Sequence, residues 1–241
     1  MIPKIIHYCW FGGNEFPAVA VECMKSWRKF LPEWEIKEWN ESNFDISSSQ
    51  YVQDAYRLKK WAFISDVVRM KALYEQGGVY LDIDVEFIKP LPEEFLSYKG
   101  LMGFEHTKTV APGLIFGVEK GNRFVKEIYD SYAEERFFYK KNGIYRTINT
   151  RITEKLIEDG LKKNNELQVI DGFHIYPSEY FCGYNTDIRE PEITENTICW
   201  HHYLGSWSNP SMKMRMQDQL KKLIGVKNYK KVITFVRKVR K

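Results

Sequence analysis

Residues Trp61–Leu91 read WAFISDVVRMKALYEQGGVYLDIDVEFIKPL. The pattern predicts a helix stopped by Gly77-Gly78, a short strand over Val79–Leu81, and two carboxylates, Asp82 and Asp84, where that strand ends. Val79–Leu81 is apolar and β-prone, so the strand is expected to be buried. Charges placed just past a buried strand need partners, a metal ion or a function. Carboxylates at i and i+2 form a hard oxygen site suited to a divalent cation, which can in turn hold a diphosphate, although Asp-x-Asp also arises often by chance. On the helix, Phe63, Val67, Met70 and Tyr74 recur at i, i+4, i+7 and i+11 and are expected to form its buried stripe. Asp66 and Arg69 share one face off that stripe, projecting with Ala62 and Leu73. Taken alone, they would be a solvated ion pair worth roughly 0.2–0.5 kcal/mol.

Working outward, Lys4–Trp10 reads as a strand and Ala18–Phe30 as a helix beginning after Pro17. Trp34–Trp39 alternates as a second strand, and Gln50–Lys60 is helical. Further on, Gly113–Val118 is a strand, Arg123–Phe137 and Asn149–Asp159 are helices, and Leu167–Ile170 and Thr197–Tyr203 are later strands. Strands alternating with helices predict an α/β sheet with ligands at the carboxyl ends of its strands.

The chain has 241 residues and 44% hydrophobic content, enough for one sizeable core. Its apolar runs are too short to cross a bilayer, and MIPKIIHYCWFGG lacks the form of a secretory signal. Cys9, Cys23, Cys182 and Cys199 show no CxxC spacing, which argues against zinc and fits a reduced, cytoplasmic setting. The net charge of +4 hides an asymmetry. Residues 221–241 hold nine of the 36 basic residues and no acid, leaving 27 bases against 32 acids in the body. Tyr229, Val232, Ile233 and Val236 recur at helical spacing, the pattern of a basic amphipathic helix able to lie on an anionic membrane. An ordinary solvated helix fits the same residues. The acidic body disfavours a nucleic-acid face. The division expected is a catalytic domain over 1–209 and a basic helical tail over 210–241.

Two further segments accompany the Asp pair. In His7-Tyr8-Cys9-Trp10-Phe11-Gly12-Gly13 the first strand ends in aromatics and glycines. The glycines let backbone approach a ligand, and an aromatic there can stack on a base or simply pack in the core. In Trp200-His201-His202-Tyr203-Leu204-Gly205-Ser206-Trp207 the adjacent histidines face opposite sides of a strand, so one at most points at a given metal.

IIHYCWFGG, the block WAFISDVVRMKALYEQGGVYLDIDV and HHYLGSW, in this order, resemble glycosyltransferase family 32. That group includes bacterial polysaccharide sugar transferases, yeast-type α-mannosyltransferases and, more distantly, the large clostridial glucosylating toxins. The resemblance covers roughly residues 2–120 and 197–208. It implies a GT-A fold, a Rossmann-like α/β domain binding a nucleotide-sugar donor with a divalent metal, Mn²⁺ or Mg²⁺, and retention at the anomeric carbon. By motif position, Trp10 would stack on the nucleobase, and Asp66 and Arg69 would hold the donor sugar and diphosphate. Asp82 would contact ribose and metal, and Asp84 would be the main metal ligand. His201, chosen over His202 because it begins its block, would complete the metal shell, while Ser206 and Trp207 close over the diphosphate. The acceptor would be a glycan or lipid-linked glycan. Ile148-Asn149-Thr150-Arg151 lacks the Gly-Pro pair that related sequences often carry, so no acceptor residue is assigned there. Two other readings compete, a metal-dependent nucleotidyltransferase or phosphohydrolase and a non-catalytic membrane-binding protein. S-D-x-x-R and the terminal G-S-W argue against the first of these, and the intact Asp-x-Asp against the second.

Overall fold

The computed structural model describes residues 1–138, 146–185, 188–205, 212–226, 228–229 and 231–233. Strand β1, Ile5–Cys9, is followed by helix α1, Ala18–Phe30, and strand β2, Glu35–Trp39. Helices α2, Gln50–Arg57, and α3, Trp61–Gln76, then lead into β3, Gly78–Tyr80, and β4, Val85–Phe87. β5, Gly100–Gly103, β6, Phe116–Val118, and helices α4, Arg123–Asp130, and α5, Ile148–Glu158, follow. The remainder comprises β7, Gln168–Ile170, β8, Phe173–Tyr176, α6, Ser178–Phe181, β9, Tyr184–Asn185, β10, Glu190–Pro191, β11, Cys199–His201, and α7, Met212–Ile224.

One seven-stranded sheet has the order β2-β1-β3-β6-β5-β8-β7. β1, β2, β3, β5 and β8 point one way and β6 and β7 the other. The fold class is the expected mixed α/β, with a mostly parallel sheet. One apolar layer gathers residues of α2 to α5, among them Val68, Leu73 and Ile152. The other face packs Trp27 of α1 with Leu81, Phe87 and Phe181.

Local chemistry sets the element ends. Ser49, Asn122 and Thr147 cap α2, α4 and α5 by accepting backbone N–H groups from Val52, Val125 and Thr150. Gly77 and Gly78 turn the chain from α3 into β3 at φ of 68° and 98°. A Cβ on Gly78 would lie 2.6 Å from the Ile5 carbonyl oxygen, so glycine also permits β3 to sit against β1.

One expectation needs correction. Phe63 and Tyr74 are only half-buried, whereas Asp66 and Arg69 are buried, at 7% and 5% exposure. Helix α3 contacts β1 and β3 on one side and α2 and α4 on others, so it has no broad solvated face. In the tail, Lys221 binds Glu190 at 2.8 Å. Residues 227, 230 and 234–241 lie outside the described part. No helix among the described residues is long and apolar enough to cross a membrane.

Candidate active site

The site forms past the carboxyl end of β3. There the Leu81 N–H donates to the His7 carbonyl at 3.0 Å and the Asp82 N–H to the Gly113 carbonyl at 2.9 Å. Asp82–Asp84 then make a tight turn, closed by the Val85 N–H on the Asp82 carbonyl at 3.1 Å. β4 pairs antiparallel with β11, with His201 opposite Val85, so a late strand is brought beside the Asp pair.

His201 Nε2 lies 3.1 Å from Asp84 Oδ1 and 3.7 Å from Asp82 Oδ2. His202 points the other way and meets Glu86 at 2.8 Å. Asp84 Oδ2 also accepts the Leu204 N–H at 2.9 Å. Asp82, Asp84 and His201 each offer one donor atom, all within 4.8 Å of one another. Two carboxylates and an imidazole fit a divalent cation with mixed oxygen and nitrogen affinity. The Tyr203 N–H lies 3.0 Å from His201 Nδ1, while Nε2 faces the two carboxylates. Burial opposes protonation of His201, and Asp84 and Asp82 outweigh it. A cation would therefore take the place of a proton, which couples binding to proton release.

Beside this group, Arg69 of α3 reaches Asp82 Oδ1 at 3.2 Å and Asp66 Oδ1 at 3.5 Å. Its guanidinium lies 4.3 Å over the Tyr80 ring, a cation–π contact in a desolvated setting. Burial works against an ionised Asp82, but Arg69 and His201 hold its carboxyl down to about 2. Asp66 moves the opposite way. Burial, aided by Asp82, raises it to about 7 despite Arg69.

Trp10 is half-buried at the end of β1, stacked on Phe16 with centroids 5.0 Å apart, and its Nε1 donates to the Asn14 carbonyl at 2.7 Å. The structure thus brings Asp66, Arg69, Asp82, Asp84 and His201 into one contiguous cluster, while Trp10 packs at the neighbouring β1 end. Ser206 and Trp207 lie outside the described residues.

The region of residues 17–101 matches the family described as the glycosyltransferase sugar-binding region containing the DXD motif. Over that region the chain is similar to the DXD glycosyltransferases. It is 27% identical over 229 residues to an uncharacterized glycosyltransferase of Acanthamoeba polyphaga mimivirus, covering 89% of this chain and 86% of that one. It is 29% identical over 149 residues to inositol phosphoceramide mannosyltransferase 3 of Schizosaccharomyces pombe, covering 57% of this chain and 39% of the relative. Among solved structures, the PaToxG glycosyltransferase superposes with a TM-score of 0.48 at 16% identity, covering 66% of this chain and 70% of that one.

Three participants were not read from the sequence. Tyr80 lies inside the G-G-x-Y-x-D-x-D pattern, two residues before Asp82, and an aromatic at that offset could have been assigned to Arg69. The Leu204 N–H on Asp84 depends on β11 pairing with β4, which local pattern does not encode. Gly113 is the third. A Cβ there would lie 2.0 Å from Asp82 Oδ2, so the first carboxylate of the pair is held against bare backbone.

Proposed function

We propose that the chain transfers a hexose from a nucleotide-diphosphate sugar to a glycan acceptor with retention at the anomeric carbon. The observation that carries this reading is Arg69, held between Asp66 and Asp82 beside the Asp82–Asp84–His201 group. UDP-hexose is the first donor and GDP-mannose the second, the latter supported by the mannosyltransferase among the relatives. Asp82, Asp84 and His201 would hold Mn²⁺, favoured over Mg²⁺ because imidazole suits a transition metal.

A bound divalent cation would supply charge neutralisation for the departing diphosphate. Arg69, always charged and fixed by Tyr80 and two carboxylates, offers further positive charge to that leaving group without reorganising. Asp66 positions donor hydroxyls, and with a carboxyl poised near neutrality it can accept or donate a hydrogen bond. Trp10 offers its ring to the nucleobase, and Ser206 and Trp207 are assigned to the diphosphate by motif position alone. In a front-face reaction the leaving phosphate takes the acceptor proton, and no protein nucleophile is required.

The deciding experiment incubates the protein with a panel of nucleotide sugars and Mn²⁺. Sugar-dependent release of nucleoside diphosphate is expected. Release of pyrophosphate or inorganic phosphate instead would assign nucleotidyl transfer or phosphohydrolysis and overturn the reading.

We further propose a cytoplasmic enzyme of bacterial surface polysaccharide synthesis, with residues 1–209 catalytic and the basic residues within 221–241 resting on the anionic inner membrane face near a lipid-linked acceptor. Each basic side chain at such a surface contributes about 1 kcal/mol, screened by salt. Deleting 221–241 should release the protein from anionic vesicles, and equal binding with and without the segment would end this part of the reading.

A further inference from the structure

A cavity of about 530 Å³ opens at the carboxyl ends of β5 and β8. The residues described above do not line it. Its walls include His106, Asn165, Leu167, Glu179, Tyr184 and Glu192. The position follows from the sheet: β5 and β8 point the same way as β3, and their ends lie on the edge where the Asp pair sits. In the order β3-β6-β5-β8 the cavity is three strand intervals from β3, about 14 Å. Two ring contacts bridge that gap. Tyr184 packs on Tyr203 with centroids 4.9 Å apart, and Tyr203 packs on His201 at 4.2 Å.

The lining discriminates between ligands. Glu166, Glu179 and Glu192 all face this space, and among the described residues no lysine or arginine lines it. Such a wall repels a diphosphate or an anionic headgroup. It suits a ligand rich in hydroxyl donors and uncharged. Glu179 is preoriented: Thr194 Oγ1 donates to one carboxylate oxygen at 3.1 Å and Asn196 Nδ2 to the other at 3.2 Å. Each oxygen retains a lone pair for a further donor. Gly183, at φ 51°, forms part of the wall, where a Cβ would lie 2.5 Å from Trp200 Cβ. The half-buried Tyr184 adds an apolar ring, and the volume lies within the range of small-molecule sites.

We propose that this cavity binds a neutral sugar unit of the acceptor glycan, distal to the unit that reacts. The inference rests on the glycosyltransferase reading and adds an oligosaccharide requirement to it. An acceptor whose reacting end lies over Asp66 and Asp84 would run back across Tyr203 and Tyr184 into the cavity. The enzyme would then discriminate by the length of the acceptor.

The test uses the full chain with UDP and Mn²⁺ present. Saturation-transfer NMR measures binding of neutral trisaccharides and of the corresponding methyl monosaccharides built from glucose, galactose and mannose. At least one trisaccharide should bind tenfold or more tightly than its monosaccharide. Leu167→Trp fills the cavity from a half-exposed position and should remove that advantage. Glu179→Gln should weaken the trisaccharide several-fold, with affinity for UDP–Mn²⁺ unchanged in both variants. The proposal is overturned if no trisaccharide binds better than its monosaccharide, or if the advantage survives Leu167→Trp. Failure of both UDP–Mn²⁺ and GDP–Mn²⁺ to bind the wild-type protein would instead count against the underlying glycosyltransferase reading.

Discussion

Asp66 and Asp82 lean on the same guanidinium, at 3.5 Å and 3.2 Å, yet their carboxyls move in opposite directions. Asp82 stands in the turn after β3 with about a third of its side chain exposed, and the positive charge around it prevails. Asp66 sits buried inside α3, with Tyr51 of α2 and Arg151 of α5 near its carboxyl, and burial prevails. Separating two neighbouring carboxyls in this way assigns them different work. Asp82 stays anionic across the working range and suits a cation, while Asp66 exchanges between acid and carboxylate near neutrality and suits hydroxyl groups.

The largest effect should come from the cation side. Asp84→Ala removes a carboxylate that faces His201 and accepts the Leu204 N–H. Turnover should fall by roughly a thousandfold, the upper end of what one lost electrostatic contact costs. Nucleotide binding should lose its metal dependence, as calorimetry with and without Mn²⁺ would read. Full activity with metal still required would remove Asp84 from the role of principal ligand.

On the Asp66 side the expected loss is smaller. Asp66→Asn preserves shape and the neutral form, so turnover should fall about a hundredfold, the scale of a misplaced substrate. Arg69→Lys should do the same, because an ammonium cannot bridge two carboxylates as a planar fork does. Steady-state rates and melting curves together decide the outcome. Normal rates with a sharply lowered melting temperature would make the pair structural and dissolve the contrast between the two carboxyls.

The parts of this arrangement carried by short-range pattern were readable. Helix α1 runs over Ala18–Phe30, as read from its start after Pro17, and the Gly77-Gly78 stop and the Asp pair past β3 follow from local sequence. Extended segments rich in glycine or aromatics were not readable, because β5, β8 and β4 gain their identity from neighbours distant in sequence. The solvated face assigned to Asp66 and Arg69 failed for a related reason. Helical periodicity reports one packed side, and α3 is packed on several. His201 could be suggested only by its motif; its approach to Asp84 depends on β11 reaching β4 across more than a hundred residues.

Gly113 tests whether the Asp82 side is a built position or a flexible side chain. In Gly113→Ala the new Cβ would meet Asp82 Oδ2 at 2.0 Å. A carboxylate can swing away, so the fold should tolerate the change with a melting temperature near that of the parent. Affinity for Mn²⁺ should nevertheless fall ten- to a hundredfold, the usual cost of disturbing a supporting contact at a metal site. Unchanged affinity would show that Asp82 has room to bind from another rotamer.

The smallest effect concerns stability alone and sets Asp66 against His7. His7 is fully buried in β1, its Nε2 donating to the Gly77 carbonyl at 2.8 Å and its Nδ1 accepting from Trp39 at 3.1 Å. Burial lowers its pKa to about 4 from an ordinary 6.5. Its stabilisation is therefore present above pH 6.5 and lost as pH falls through 4, about 3 kcal/mol in all. For Asp66 the pKa is raised from 3.8 to about 7. Its contribution is present below pH 3.8 and lost as pH rises through 7, about 4 kcal/mol of opposite sign. In metal-free protein the two slopes oppose each other between pH 4 and 6.5. Asp66→Asn abolishes one of them, so urea titrations of that variant should show stability climbing with pH more steeply than in the parent, by a few kcal/mol across this interval. Asp82, held at about 2, titrates below this interval, and the carboxylates away from Arg69 contribute alike to both proteins and drop out of the difference. Parallel profiles would mean that Asp66 titrates normally, and the opposition between the two carboxyls at Arg69 would then fall.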